Sequence, residues 1–169
     1  MQIRYLFLAI LGVLSLGGLP LGPSASAKAA PPQDEVRKVV YHADFSDPRR
    51  YSAMLTSINN MAMTYQNDLV DYDIRIVFVS HGIRFVTEDK LANTPFAEDN
   101  ELKQRRADLL ARMKGLREVQ GVKFELCDIT REAVRLPKEK FIPGLNFVRS
   151  GVVQIAELQR QGFAYIKVE

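Results

Sequence analysis

Ile74-Arg75-Ile76-Val77-Phe78-Val79-Ser80 is apolar at nearly every position, the composition of a strand buried on both faces of a parallel sheet. His81-Gly82 ends it. Upstream, Lys38-Val39-Val40-Tyr41-His42 is a second strand. After it, Ser46 or Asp47 caps a helix that has Pro48 in its first turn. In that helix Tyr51, Leu55, Ile58, Ala62 and Tyr65 recur at three- and four-residue spacing and mark one buried face. Met54 and Met61 widen the stripe as core filler.

Downstream, a long connection runs from Val86 to Asn100 and carries the acidic pair Glu98-Asp99. A structureless loop of that length inside one domain is either functional or a solvated insertion. Leu102, Leu109, Leu110, Met113 and Leu116 define a second amphipathic helix, which Gly121 ends. Three more strands follow, at Val122–Cys127, Leu145–Arg149 and Ala164–Val168. A short helical turn capped by Asp128 or Thr130 stands after the first of them. Between the last two lies a helix capped by Ser150, with Val152, Ile155, Ala156 and Leu158 on its buried face and Gly162 at its end. Strands alternating with helices over this length predict an α/β fold with a mostly parallel five-stranded sheet covered on both faces.

The N-terminus reads as an export signal over residues 1–27. Arg4 supplies the positive start, Tyr5 to Leu16 the apolar run, and Ala25-Ser26-Ala27 a small-x-small cleavage site. The apolar run is too short to span a bilayer, which takes roughly 20 residues. This predicts a periplasmic or secreted protein with no stable membrane insertion once the signal is cut. Residues 28–36 read as a disordered lead and 37–169 as one domain. Loss of Arg4 takes the formal charge from +3 to +2. Cations and anions interleave along the chain, and nothing resembles the basic stripe of a nucleic-acid binder.

In open parallel sheets ligands bind at the carboxyl ends of strands. His42, His81 and Cys127 stand at three such ends, and they are both histidines and the only cysteine of the chain. An unpaired cysteine in an exported protein is buried and inert, joined to another molecule, or kept for chemistry. Free cysteines are most often small buried hydrophobes. Here Val122, Phe124 and Leu126 share one strand face, and Cys127 alternates with Lys123 and Glu125 on the more polar one. A helix start just after the thiol also favours thiolate. His42 and His81 are candidates to set that thiolate state or to hold an anion. Cys127 with both histidines is also a possible zinc or copper ligand set, the lesser reading, since no His-x-His or Cys-x-x-Cys pair supports it and a fourth ligand is needed. No phosphate loop and no nucleophile elbow is present, and no cofactor is predicted.

The strand Lys38–His42, the strand end Ser80-His81-Gly82 and the segment Gly121–Cys127 resemble the DsrE/DsrF-like family of sulfur-relay proteins. So does the tail, through Ile142-Pro143-Gly144, Val148-Arg149-Ser150-Gly151-Val152 and Leu158–Lys167. The resemblance covers the chain from about Arg37 and is nearest to the exported single-domain branch. It implies a three-layer α/β/α fold, usually assembled as a trimer or hexamer. It further implies that Cys127 carries sulfur as a persulfide, exchanged with a sulfur donor or acceptor protein or a small sulfur species. Asp128 stands where many relatives carry small or amide residues, and a carboxylate beside the thiol disfavours thiolate. The alternatives are a non-catalytic oligomeric binding module, or a His/Cys metal-binding protein.

Overall fold

The computed structural model describes residues 36–169. The stretch read as an export signal and nearly all of the expected lead lie outside the described residues. Strand β1 is Arg37–Ala43, β2 Tyr72–Phe78, β3 Lys123–Cys127, β4 Leu145–Val148 and β5 Ala164–Ile166. They form one sheet in the order β4-β3-β2-β1-β5, with every neighbouring pair parallel. Helices α1 (Pro48–Asn67) and α2 (Asn100–Gln120) carry the chain from β1 to β2 and from β2 to β3. A six-residue α3 (Asp128–Ala133) follows β3, and α4 (Gly151–Arg160) joins β4 to β5. The three-layer α/β/α expectation holds.

The helix starts obey the local chemistry. Asp47 caps α1 by accepting from the amides of Arg49 and Arg50, ahead of Pro48. Asp99 caps α2 through the Leu102 amide, and Gly121 closes α2 in the left-handed conformation at φ 66°. Along α1, Tyr51, Met54, Leu55, Ile58 and Ala62 are all buried. They meet Leu102, Leu109, Met113 and Leu116 of α2 over Val39, Tyr41, Ile74, Ile76, Phe78, Phe124 and Leu126 of the sheet. Tyr51 stacks on Phe85 at 4.1 Å between ring centres. The opposite sheet face has a smaller core, Val40 and Val77 under Ile155, Leu158 and Phe163.

Three expectations change in detail. Strand β2 ends at Phe78, and Ser80–Phe85 winds into a 3-10 turn instead of extending the strand. On α4 the buried side is Gly151, Ile155 and Leu158. Val152, expected inside, is 64 % exposed, and Ala156 also faces out. One ten-residue helix needs only a narrow apolar stripe to cover its strip of sheet. The connection from Val86 to Asn100 is an ordered insertion. Arg106 of α2 pairs with Glu98 at 2.8 Å and donates to the carbonyls of Arg84 and Thr87, while buried Arg84 pairs with Asp99 at 2.6 Å.

The 3-10 turn is pressed against the end of β1. A Cβ on Gly82 would lie 2.0 Å from the Ala43 carbonyl oxygen, so only glycine fits without moving backbone. Gly82→Ala is expected to cost about 3 kcal/mol, the upper end for overpacking, read as a lowered urea midpoint with an unchanged slope.

Candidate functional site

Cys127 is the last residue of β3 and the residue on which α3 begins. The predicted strand phase is right, but the face it selects is not open. Cys127 is 3 % exposed and Glu125 3 %, because α4 lies over them. Gly151, the first residue of α4, makes the contact: a Cβ there would sit 3.0 Å from Cys127 Cβ and 2.5 Å from Val79 Cγ2. The thiol therefore lies against two helix starts, the short α3 and the longer α4.

The expected conflict with Asp128 is resolved locally. Arg131 hydrogen-bonds the Asp128 carboxylate and holds its pKa below the usual carboxylate range, so its charge is balanced within the same turn. Thr130 is buried and accepts from the Ser80 amide at 3.1 Å. That bond ties α3 to the end of β2 at a residue whose φ is 51°, a left-handed conformation unusual for serine.

The two histidines diverge. His42 shares the α4 face with Cys127 but lies across β2. It pairs in register with Val77, whose other neighbour is Glu125, so β1 and β3 are about 10 Å apart there. His42 Nδ1 is engaged by Tyr165 Oη at 3.0 Å. His81 contacts Ser80 Oγ at 3.3 Å and sets its ring edge-on to Phe96 at 5.1 Å. All three predicted residues stand at the carboxyl rim, yet no hydrogen bond joins any two of them. Among the described residues no three His, Cys, Asp or Glu side chains gather closely enough to hold one metal ion, so a His42–His81–Cys127 ligand set does not form.

Beside the thiol, sequence reasoning missed a partly buried ionic ladder, in which Glu125 is the buried member. Arg75 of β2 forks onto Asp73 at 2.8 Å and reaches Glu125 Oε1 at 3.0 Å, while Lys123 bonds Asp73 at 3.0 Å. The Arg75 guanidinium also lies 5.0 Å from the centre of the Phe163 ring. Burial alone would raise the Asp73 pKa, but hydrogen bonds from Arg75 and Lys123 bring it below its ordinary value. Glu125 Oε2 is buried without a partner. The available signal was Arg75 inside an apolar strand, since a buried charge needs a partner on the adjacent strand.

A recess of about 570 Å³ lies between α1 and α2, lined by Leu55, Asn59, Arg112, Leu116 and Val119. It sits by the carboxyl-terminal half of α2, toward the amino ends of the strands, and not at the rim.

The chain matches the model of the DsrE/DsrF-like family over residues 37–168 and is a member of that family, which is generally related to sulfur relay. Among solved structures it is similar to a protein of unknown function, MTH1491 from Methanobacterium thermoautotrophicum. That likeness has 24 % identity and a TM-score of 0.57, and covers 78 % of this chain and 98 % of that one. It establishes the fold. The ychN protein from E. coli aligns at 15 % identity and a TM-score of 0.48, over 78 % of this chain and 99 % of that one. No functionally curated protein matches.

The ladder gives a test of what supports the rim. Arg75→Met strands the Glu125 charge and is expected to cost about 3–5 kcal/mol in urea unfolding, whereas Arg75→Met with Glu125→Leu recovers most of it. Equal losses in the single and double variants would mean that the ladder is not what holds this face.

Proposed function

We propose that this protein is a sulfur carrier working in the periplasm or outside the cell, with Cys127 as the carrying atom. The observation that supports the reading best is the lone thiol at the end of β3, set against the starts of α3 and α4 in a member of a sulfur-relay family. The N-terminal pattern of Arg4, Tyr5–Leu16 and Ala25-Ser26-Ala27 supports the compartment.

The chemistry is thiol exchange and is redox-neutral. The Cys127 thiolate attacks a sulfane sulfur of a polysulfide, an S–S bond breaks, and the shortened polysulfide leaves with the electron pair. An acceptor thiolate then takes the outer sulfur and returns Cys127 as thiolate. At 3 % exposure the thiol must first be uncovered. The short α3, tied by Thr130 Oγ1 to the Ser80 amide, is the element suited to move.

A second reading, a non-catalytic assembly module with an inert thiol, draws on that same burial. Intact mass after polysulfide treatment separates the two. Carriage predicts one added sulfur atom on the wild type, none on Cys127→Ser, and about fivefold faster loading of Thr130→Val, the value of one lost hydrogen bond near 1 kcal/mol. No labelling of the native wild type favours the inert module.

The same proposal includes self-association. Leu69 is 93 % and Val119 79 % exposed near the carboxyl-terminal ends of α1 and α2, which leaves apolar surface for a second copy to cover. Light scattering after gel filtration should show a trimer or hexamer, and Val119→Asp should shift it toward monomer. A monodisperse wild-type monomer would end this part.

A further inference from the structure

A second group of polar side chains collects on the α4 face, at the carboxyl ends of β1 and β5. Register pairs Val40 with Tyr165 and Tyr41 with Ile166, which brings His42 level with Lys167. His42 Nδ1 lies 3.0 Å from Tyr165 Oη. Its Nε2 lies 3.9 Å from Asp44 Oδ2, and Lys167 Nζ holds the same carboxylate oxygen at 3.5 Å. Nε2 is buried and has no hydrogen-bond partner.

These distances favour one tautomer. A neutral imidazole carries one N–H and one lone pair. With the proton on Nδ1, the Nε2 lone pair would face the Asp44 carboxylate, which is repulsive. With the proton on Nε2, that nitrogen is a donor 3.9 Å from the Asp44 carboxylate, longer than a hydrogen bond, and Nδ1 accepts from the phenol. Burial keeps the ring neutral by pushing its pKa down. Asp44 pulls it partly back and Lys167 lowers it again, and these are the charged groups that act on it. At the level of His42 the β2 neighbour is the apolar Val77. Tyr165 is 39 % exposed, so its ring is reachable from solvent while its hydroxyl is hydrogen-bonded to His42.

The position is also where ligand sites arise in such sheets. From β1 the chain adds strands on one side through β4, then returns across the sheet to place β5 on the other side of β1. The β1/β5 boundary is thus the topological switch point, where α/β sheets place ligands beyond the strand ends.

We propose that Asp44, His42 and Tyr165 form a proton relay that makes Tyr165 Oη a nucleophile toward activated acyl groups, a second reactive centre independent of Cys127. Oη attacks the acyl carbonyl carbon and its proton passes to His42 Nδ1. The imidazolium that forms is stabilised by Asp44, and the 3.9 Å gap is of the kind that tightens in a working complex. The new O–C bond forms, the bond to the leaving group breaks with its electron pair, and His42 returns the proton to that group. No oxidant or reductant is involved.

The test is limited treatment of the whole protein with N-acetylimidazole, mapping acetyl-tyrosine by mass spectrometry. Tyr165 is expected to label about a hundredfold faster than in His42→Phe, within the range of general-base catalysis, and equally fast in Cys127→Ser. Asp44→Asn is expected to be intermediate. The wild-type rate should be flat above neutral pH and fall as His42 protonates. Equal Tyr165 labelling in wild type and His42→Phe would show exposure alone and overturn the relay. So would a wild-type rate that climbs tenfold per pH unit toward 10, as for an unassisted phenol; this profile decides the matter even if His42→Phe fails to fold.

Discussion

Arg75 is held between two carboxylates, and the α4 face of the sheet depends on that arrangement. Among the described residues a single ten-residue helix covers this side, so the strands beneath it carry charges that must satisfy one another. Arg75 does this with Asp73 behind it and Glu125 ahead, on the adjacent strand. The pairing lets β3 keep Glu125 buried immediately before Leu126 and Cys127. A buried ion pair of this kind adds little net stability, but the loss of one partner is severe. Its effect here is positional, fixing β3 beside β2 so that the thiol meets Gly151 at the start of α4.

Much of the fold was legible because the local signals are strong. Asp47-Pro48 acts as a helix start, Gly121 as a stop, and the apolar run from Ile74 as a doubly buried strand, whereas the Asp99 cap of α2 was read only as part of an acidic loop. The Ser80–Phe85 turn was not legible, since Val79-Ser80 continues a strand-like composition. The turn is fitted to a distant strand end, with the Val79 amide bonded to the Ala43 carbonyl and room beside it only for Gly82. The outward turn of Val152 was hidden for a related reason: the sheet contact at Gly151 sets the helix phase, so Gly151, Ile155 and Leu158 face in and Val152 falls outside that stripe.

For the site, period-two alternation placed Glu125 and Cys127 on one face correctly, but alternation reports the face and not what covers it. A polar face was therefore expected to be open, and it is instead covered by α4, with its charges paired beneath the helix. The separation of His42 from His81 depends on strand order and on where the chain turns after β2. Both are long-range properties with no local signature. Tyr165 and Asp44 became visible as partners of His42 only once β5 was set beside β1, 123 residues apart in sequence for His42 and Tyr165.

The sheet also tapers. Its inner strands β1 and β2 are seven residues long, while the outer β4 and β5 have four and three. Short outer strands offer few unpaired backbone groups in a row, so another chain finds little to extend by edge-to-edge pairing. An apolar, doubly buried interior is the sort of sequence that aggregates when exposed, and the taper keeps it two strands away from one boundary and one from the other. The molecule thus protects itself from fibrous self-addition by the lengths of its outermost strands.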